Sequence, residues 1–353
     1  MLKLRRGNLL EANTEALVNT VNCVGVMGKG VALQFKQAFP ENYRQYERAC
    51  RAGAVQPGTM LTVRNDGLGN PNYIINFPTK RHWKGKSRIE DIKAGLLALI
   101  AEVQRLSIQS VAVPPLGCGN GGLDWDDIRP LIQAAFRAVP NVEVILFEPT
   151  GAPNPSKLVV ATTVPAMTRG RALLLSLLEG YRRLDYPSTL LEVQKLAYFL
   201  QVAGEPLQLK YVKQKYGPYA EALNHVLQRI DGHYIRGYGD RSREAQITLQ
   251  LTASEKAHAF LQGDPQALEH LDRVAKLIVG FETRHGMELL ATVHWVATQE
   301  NGAAATDPDQ AIASVHAWSD HKKTFRVEHI RKAWTRLSEQ GWLVPEALTS
   351  ILT

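Results

Sequence analysis

Two glycine-rich loops, each following an apolar run of strand length, have the composition of an anion-binding site. The first lies within residues 16–35 and the second within residues 111–125. Backbone N–H groups converge on an anion only where no side chain stands in the way, so such loops require glycine. The glycines concerned are Gly25, Gly28 and Gly30 in the first loop, and Gly117, Gly119, Gly121 and Gly122 in the second. Two such loops within one domain predict a ligand with two phosphates, or with a phosphate and a sugar.

A helix is predicted after each loop, and the positive end of its dipole would add to the anion site. Asp124 stands where the second of these helices begins, and we expect it to cap that helix. Residues 117–122 also fit the dinucleotide pattern G-x-G-x-x-G. That pattern follows the fourth predicted strand rather than the first, which argues against a dinucleotide fold.

Lys80 ends the apolar run NYIINFPTK and is a candidate catalytic amine. Partial burial at the strand end, together with the charges of Arg81 and Lys84, would lower its pKa and favour the neutral form. A neutral lysine can attack an anomeric carbon, or act as a base toward a hydroxyl or water. An exposed lysine at the end of a strand is the alternative interpretation.

The run KRHWKGKSR, residues 80–88, places five basic residues around Trp83. Cations that meet phosphates and a ring that stacks on a base are what a groove for single-stranded nucleic acid needs. We therefore consider Arg81, Trp83 and Lys84 as DNA-contacting residues, with a solvated loop as the alternative.

Composition limits the remaining possibilities. The 353 residues are 45% hydrophobic and 21% charged, as expected for a globular protein of two domains. No apolar run of 18 residues predicts a membrane span, and three cysteines without CxxC spacing argue against disulfides and a structural metal. We expect a cytoplasmic protein without a metal or other cofactor. The net charge of +7 permits a polyanionic partner.

The pattern of apolar residues predicts two domains of different class. Residues 1–150 alternate strand-like and helix-like segments, which predicts an α/β fold with a mixed or parallel sheet flanked by helices. The predicted strands lie within residues 17–22, 58–65, 72–79, 110–116 and 142–149, and the predicted helices within 31–50, 87–106 and 124–139. A linker is expected over residues 151–160, followed by a mainly α-helical domain over 161–353. Ser188 with Glu192, and Ser254, are predicted helix caps.

Residues 1–150 resemble the macrodomain family. The resemblance is carried by Gly7 to Leu10, Val18 to Asn22, and the two glycine loops. It implies a cleft for ADP-ribose, with Asn22 near the distal ribose and Asn8 near the adenine in place of the usual aspartate. The implied ligand-binding residues are Asn8, Leu9, Asn19, Asn22, Gly25, Met27, Gly28, Gly30, Val31, Ala32, Pro115, Leu116, Gly117, Cys118, Gly119, Asn120, Gly121 and Gly122.

Within that family the chain is similar to the branch that contains terminal ADP-ribose glycohydrolases and DarG antitoxins. This branch has a catalytic lysine, and the resemblance places it at Lys80. Some relatives pair the lysine with an aspartate in the second loop, where this chain has Gly121. A mechanism that needs both the lysine and the aspartate is therefore not expected for this chain. The glycine favours a resemblance to the DarG antitoxins over the terminal ADP-ribose glycohydrolases.

The helical half resembles the SocA-like antitoxin domain, through its leucine-rich helix, the Tyr216 to Tyr219 turn and the Gly232 to Tyr234 segment. This resemblance implies binding of a toxin similar to DarT, an ADP-ribosyltransferase that modifies thymine in single-stranded DNA. Tyr216, Tyr219, Tyr234 and Tyr238 would form an aromatic recognition surface, or simply fill a helical core. His294 is expected to be a core residue.

Taken together, the sequence predicts a DNA ADP-ribosyl glycohydrolase that also acts as an antitoxin. Its partners would be ADP-ribose, ADP-ribosylated single-stranded DNA and a DarT-like toxin, without a membrane. Two alternatives stay open: a macrodomain that binds ADP-ribose without hydrolysing it, and a hydrolase of protein-linked ADP-ribose.

Overall fold

The computed structural model describes residues 1–67, 69–151, 158–181, 187–239 and 245–343. Its contacts divide the chain into two compact units, Met1–Thr163 and Val164–Thr353. Most of the linker predicted over residues 151–160 lies outside the described residues, and so do residues 344–353 of the predicted helical domain.

The first unit contains a six-stranded mixed sheet with the strand order β1-β6-β5-β2-β4-β3. The β3 strand runs antiparallel to β4, and the other neighbouring strands are parallel. The strands are β1 (Leu2–Arg5), β2 (Ala16–Asn22), β3 (Leu61–Arg64), β4 (Tyr73–Lys80), β5 (Ser110–Val113) and β6 (Glu143–Phe147). The helices are α1 (Gly30–Ala38), α2 (Pro40–Arg51), α3 (Ile89–Arg105) and α4 (Trp125–Phe136). The predicted α/β class with a mixed sheet is confirmed.

Parallel pairing determines where the candidate site forms. The strands β5, β2 and β4 are neighbours in the sheet and run in the same direction. Their carboxyl ends therefore lie at one edge, which is where ligands bind in open α/β sheets. The first glycine loop follows β2, the second follows β5, and Lys80 is the last residue of β4.

Both faces of the sheet are buried along the inner strands β2, β4 and β5, which explains why these strands read as near-continuous apolar runs. Alternate residues enter different cores: Ala16 and Val18 lie in one cluster and Leu17 in another. On the first of these faces α3 packs closely against β4, because a Cβ added at Gly95 would come closer than 3.0 Å to the ring of Phe77. This contact fixes the strand that ends in Lys80.

Two local features of the first unit differ from the sequence pattern. The helix predicted over residues 31–50 divides into α1 and α2 at Phe39, because proline disfavours helical backbone in the residue before it. Pro40 instead occupies the first turn of α2, where its missing N–H costs nothing. The strand β1, which pairs with β6, was not predicted.

The second unit is helix-rich, as predicted. Its helices are α5 (Arg169–Tyr181), α6 (Leu190–Val202), α7 (Glu221–Ile230), α8 (Ala253–Leu261), α9 (Pro265–Ile278), α10 (Arg284–Trp295), α11 (Pro308–Trp318) and α12 (Val327–Glu339). Short strands accompany them: β7 (Ser188–Thr189), β8 (Val212–Gln214), β9 (Gly217–Tyr219), β10 (Ile235–Arg236) and β11 (Gln246–Leu249). No helix in the described part of the chain is long and apolar enough to cross a bilayer.

Both predicted caps in this unit are displaced. Thr189, not Ser188, forms a capping box with Glu192 at the start of α6, since Ser188 pairs as part of β7. Ser254 lies inside α8, which begins after Thr252. The helix α11 was not predicted, although Asp307 caps it and Pro308 begins it.

Candidate functional site

Three elements of the first unit meet at the edge of the sheet. The Lys80 ammonium donates a hydrogen bond to the Asn120 carbonyl in the second glycine loop. The Asn120 side chain in turn reaches the start of α1, because a Cβ added at Gly30 would lie 3.2 Å from Asn120 Nδ2. The structure therefore brings Lys80 and the two glycine loops into one site.

The first glycine loop, residues 23–29, is shaped by the side chain of Asn22. Its Oδ1 accepts hydrogen bonds from the N–H groups of Val24 (3.0 Å) and Val26 (3.3 Å), and its Nδ2 donates to the Val26 carbonyl. The Tyr46 hydroxyl also donates to the Asn22 carbonyl at 2.7 Å. The amide of Asn22 thus holds the loop together, and its contact with a ribose stays a prediction.

The helix α1 begins with an open N-terminus. No side chain caps it: Lys29 occupies the N-cap position and makes no side-chain capping hydrogen bond, and the first turn has no acidic residue. Gly30 has a φ of +56°, a left-handed conformation that favours glycine. Unsatisfied N–H groups and the helix dipole make this end a place for an anion. Val31 and Ala32, also predicted ligand contacts, lie in this turn and are half-buried.

The second glycine loop, residues 114–124, folds back on itself. Gly117 and Gly122 have positive φ values of +75° and +76°, and the N–H of Gly122 donates to the Gly119 carbonyl at 3.0 Å. Within the described residues, the N–H groups of Gly119, Asn120 and Gly121 have no acceptor. These three consecutive free donors, called the nest below, are groups from which an anion can accept hydrogen bonds.

The helix α4 does not contribute its positive end, contrary to the prediction for both loops. Asp124 caps it, as expected, by accepting a hydrogen bond from the N–H of Asp126 at 2.9 Å. Asp126 and Asp127 add two carboxylates to the first turn. This N-terminus already has its anions, so the donors that the second loop offers are its own backbone N–H groups.

The environment of Lys80 shifts the pKa of its amine downward. Burial lowers its pKa most, and the positive charge of Lys86 lowers it further. The predicted neighbours were wrong: Arg81 forms an ion pair with Asp91 at 3.0 Å, and the ammonium of Lys84 lies 4.9 Å from the centre of the Trp83 ring. Lys86 and not Arg81 or Lys84 supplies the like charge.

Several predicted ligand residues lie away from solvent. Asn19 is fully buried and donates to Asn76 Oδ1 at 2.9 Å, so the structure places its side chain in the core of the unit. The side chains of Leu9, Met27 and Leu116 are also core residues, at 4%, 1% and 0% exposure. Their predicted contacts with a ligand stay predictions, because these side chains pack in the core of the unit.

Asn8 caps a short 3-10 turn, Leu9–Glu11. Its Oδ1 accepts from the Leu10 N–H at 3.1 Å and its Nδ2 donates to Glu11 at 3.4 Å. Adenine recognition by this amide stays a prediction. In the second loop, burial raises the pKa of the half-buried Cys118 thiol to about 11, and Pro115 is half-buried. A thiol with that pKa is not a nucleophile near neutral pH.

The basic segment after β4 is exposed and joined to the second loop. Residues 81–86 are all exposed, and Trp83, with 49% of its surface accessible, stacks against His82. The N–H of Ser87 donates to the Gly121 carbonyl at 3.0 Å. The exposed segment with Trp83 is therefore joined to the candidate site through Ser87, and an aromatic ring among cations is what single-strand binding requires.

Two residues of this segment were not predicted as part of the site. Lys86 approaches Gly122, where an added Cβ would lie 2.9 Å from its Nζ. The buried Ser87 lies under the second loop, where an added Cβ at Gly117 would lie 3.2 Å from its Oγ. The basic run was a signal for Lys86, but no sequence pattern pointed to Ser87.

The predicted tyrosine surface of the second unit is only partly exposed. Tyr234 and Tyr238 are core residues with 4% and 0% exposure, while Tyr216 and Tyr219 are half-buried around the β8–β9 hairpin. Of the two alternatives, core packing therefore holds for Tyr234 and Tyr238, and a recognition surface stays a prediction for Tyr216 and Tyr219 only. His294 is buried, as predicted, and its Nδ1 meets the Tyr198 hydroxyl at 2.7 Å.

Under the same hairpin lies a cluster of buried charges. Lys195 donates to the Pro218 carbonyl at 2.5 Å, and Lys322 pairs with Glu288 at 2.6 Å. Burial lowers the pKa of Lys195 to about 7 and that of Lys322 to about 8. Among the described residues, no group of His, Cys, Asp and Glu side chains is arranged to hold a metal ion.

Comparison with known proteins agrees with this arrangement. The Macro domain family model matches residues 18–132. A DNA ADP-ribosyl glycohydrolase from Thermus aquaticus is 49% identical over 346 residues, which cover 98% of this chain and 95% of that protein. One from Mycobacterium tuberculosis is 42% identical over 91% of this chain and 94% of its own. A DNA ADP-ribosyl transferase–DNA ADP-ribosyl glycohydrolase fusion protein from Thermosipho africanus is 34% identical over 37% of this chain and 38% of its own. The chain therefore belongs to the macrodomain family of DNA ADP-ribosyl glycohydrolases.

Proposed function

We propose that this protein removes ADP-ribose from thymidine in single-stranded DNA, with Lys80 as its catalytic residue. The observation that carries the proposal is the position of the Lys80 amine, whose pKa is lowered and which contacts the second glycine loop beside the first. The full-length similarity to the Thermus aquaticus enzyme, a DNA ADP-ribosyl glycohydrolase, supports the substrate class.

The diphosphate of ADP-ribose would lie between the two glycine loops. The open start of α1 offers N–H groups around Gly30, and the nest at Gly119, Asn120 and Gly121 offers three more. Charge-assisted hydrogen bonds from such donors are stronger than neutral ones. Because Lys80 contacts Asn120, a diphosphate held there places the distal ribose near the amine.

The reaction is hydrolysis of an N-glycosidic bond. The bond between the anomeric carbon and the thymine nitrogen breaks, a bond from that carbon to a water oxygen forms, and the base regains a proton. In one route the Lys80 amine attacks the anomeric carbon and water later displaces it; in the other Lys80 removes a proton from water or a ribose hydroxyl. Mass spectrometry of the quenched reaction separates these routes, because only the first adds ADP-ribose to Lys80.

The strand around the modified thymidine would meet the exposed segment with Arg81, Trp83 and Lys84. Stacking on Trp83 and phosphate contacts with the lysine fit a single strand without sequence preference. A cytoplasmic location is part of this proposal, because the DNA substrate is inside the cell.

The helical unit would bind and inhibit a DarT-like toxin. Its resemblance to SocA-like antitoxin domains supports this role. The Thermosipho africanus protein, which joins a DNA ADP-ribosyl transferase to a glycohydrolase, supports a functional link between the two activities. If the role is correct, full-length Lys80→Ala protein inhibits the purified toxin at stoichiometric concentration. If Lys80→Ala loses both hydrolysis and inhibition of the toxin, a separate inhibitory role of the helical unit is contradicted.

The substrate is tested by offering three ligands to the wild-type protein. These are a single strand with ADP-ribosylated thymidine, a peptide with ADP-ribosylated glutamate, and free ADP-ribose. Release from the DNA strand at a higher kcat/KM than from the peptide supports the proposal. Preferred release from the peptide would make it a hydrolase of protein-linked ADP-ribose.

A second candidate function is binding of ADP-ribose without hydrolysis. It is favoured by the absence of a carboxylate paired with Lys80 in the described residues, since Asp124 caps α4. In that case free ADP-ribose binds and neither conjugate is cleaved.

A further inference from the structure

Two lysine amines approach the second glycine loop at different points. Lys80, at the end of β4, donates to the Asn120 carbonyl. Lys86, six residues later, approaches the loop at Gly122, where an added Cβ would lie 2.9 Å from its Nζ. The free N–H groups of Gly119, Asn120 and Gly121 lie in the same short stretch.

The backbone beside Lys86 is fixed to this loop. The N–H of Ser87 donates to the Gly121 carbonyl at 3.0 Å, and the Ser87 side chain is buried at 7% exposure. A Cβ added at Gly121 would come closer than 3.0 Å to Ser87 Oγ, so the two chain segments pack without a gap. Lys86 is therefore held at the loop even though its own side chain is exposed.

The positive charge at this place is not neutralised. Within the described residues, no ion pair joins a carboxylate to Lys80 or Lys86, whereas the neighbouring Arg81 is paired with Asp91. The repulsion between the two lysines contributes to the lowered pKa of Lys80. Two amines of like charge beside a nest of N–H donors lack a negative partner, and a phosphate satisfies both kinds of group.

We propose that Lys86 is a specificity-determining residue of the site that binds a phosphate group of the substrate at the edge of the second loop. The inference rests on the proposed function in that the substrate is an ADP-ribosylated strand. Its phosphate has two possible sources, the diphosphate of ADP-ribose or a phosphodiester next to the modified thymidine. Both sources stay open because Lys86 follows the exposed Trp83 segment in the chain and approaches the second loop at Gly122.

The test compares wild-type protein with Lys86→Gln, which removes the charge, and Lys86→Arg, which keeps it. Lys93→Gln is the matched control, because Lys93 is exposed on α3 and has no part in the site. Calorimetry measures the Kd of free ADP-ribose at several salt concentrations. A kinetic assay measures KM for a modified strand and for isolated ADP-ribosylthymidine.

If the phosphate is that of ADP-ribose, Lys86→Gln raises the Kd of free ADP-ribose about tenfold and Lys86→Arg largely restores it. If it belongs to the strand, that Kd is unchanged. Lys86→Gln then raises KM for the modified strand about tenfold. The slope of log KM for the strand against log salt concentration falls by about one, as expected for one lost phosphate contact. The KM for ADP-ribosylthymidine, which has no phosphodiester, is unaltered.

The proposal is wrong if neither Kd nor KM changes, if Lys86→Arg is as impaired as Lys86→Gln, or if Lys93→Gln has the same effect. The proposed function fails separately: a wild-type protein that releases no ADP-ribose from the strand contradicts hydrolysis. The Kd of free ADP-ribose and the affinity for the modified strand then still report on Lys86.

Discussion

Gly121 is the position at which the family resemblance implies an aspartate in some relatives, and the packing around it predicts that this chain cannot accept one. A Cβ at Gly121 would come closer than 3.0 Å to both the Gly117 carbonyl and Ser87 Oγ. The first contact is with backbone, so a rotamer change cannot relieve it. Gly121→Ala must therefore displace the second loop or the segment at Ser87, and Gly121→Asp must do so too.

The expected cost follows from overpacking of a tight site, about 1–3 kcal/mol. For a unit of this size that corresponds to a fall in Tm of roughly 2–4 °C for each kcal/mol. ADP-ribose binding should weaken as well, since the nest at residues 119–121 is displaced with the loop. Differential scanning fluorimetry and calorimetric titration measure the two effects.

Gly119→Ala is the matched control for stability, because an added Cβ there meets nothing within 4 Å. It should leave Tm unchanged. Gly121→Ala with wild-type Tm and wild-type ADP-ribose affinity would refute the reasoning. Enhanced hydrolysis by Gly121→Asp would show that the loop accepts a carboxylate and that the glycine is not required by packing.

Three further predictions concern charge and packing. If the neutral Lys80 amine is the reactive form, kcat/KM for the modified strand rises with pH and levels off above a kinetic pKa that lies below 10.5. Lys86→Gln moves that kinetic pKa upward, because a like charge near Lys80 is lost. A downward shift of the kinetic pKa in Lys86→Gln would contradict this. Gly95→Ala should lower the unfolding free energy by about 1–3 kcal/mol in urea titrations, because its Cβ meets the Phe77 ring; unaltered stability would contradict the close packing of α3 on β4. The pKa of Lys195 falls from 10.5 to about 7 on folding, so the unfolded state holds more protons between those values and stability rises with pH in that window. Lys195→Met should reduce the increase of the urea midpoint with pH, and the remaining increase should come from Lys322, whose pKa is about 8. A urea midpoint that rises as steeply with pH in Lys195→Met as in wild-type protein would contradict the lowered pKa of Lys195.

The sequence predicts this site where its chemistry follows from local pattern. Apolar runs of strand length determine β2, β4 and β5, and parallel pairing then brings their carboxyl ends together. The two glycine loops and Lys80 follow those ends directly. The cap at Asp124 is equally local, because its carboxylate reaches an N–H only two residues away.

Contacts between distant parts of the chain were not predictable in the same way. Ser87 lies under Gly117 and Gly121, which are 30 and 34 residues away in the chain, and nothing in its local sequence marks it. Asn19 was predicted to be a ligand-binding residue, yet its side chain is buried and donates a hydrogen bond to Asn76 on the neighbouring strand β4. Lys86 lies in a basic run, but its approach to Gly122 depends on how that run folds against the second loop.

Side-chain competition explains the other differences. The side-chain oxygen of Asn22 accepts hydrogen bonds from N–H groups of its own loop, a local arrangement typical of asparagine. Tyr234 and Tyr238 lie in the core of the helical unit, where a tyrosine ring buries a large apolar area. Residue type alone does not separate such structural roles from recognition.

The most direct test of the central claim is a single-turnover assay with a thymidine-containing strand that carries ADP-ribose. Wild-type protein, Lys80→Ala and the control Lys93→Gln are compared, and ADP-ribose affinity is measured in parallel. We predict that wild-type protein and Lys93→Gln restore unmodified DNA, while Lys80→Ala binds ADP-ribose and releases none. Full release by Lys80→Ala would contradict the assignment of Lys80 as the catalytic residue, and binding without release by wild-type protein would contradict the proposed hydrolysis.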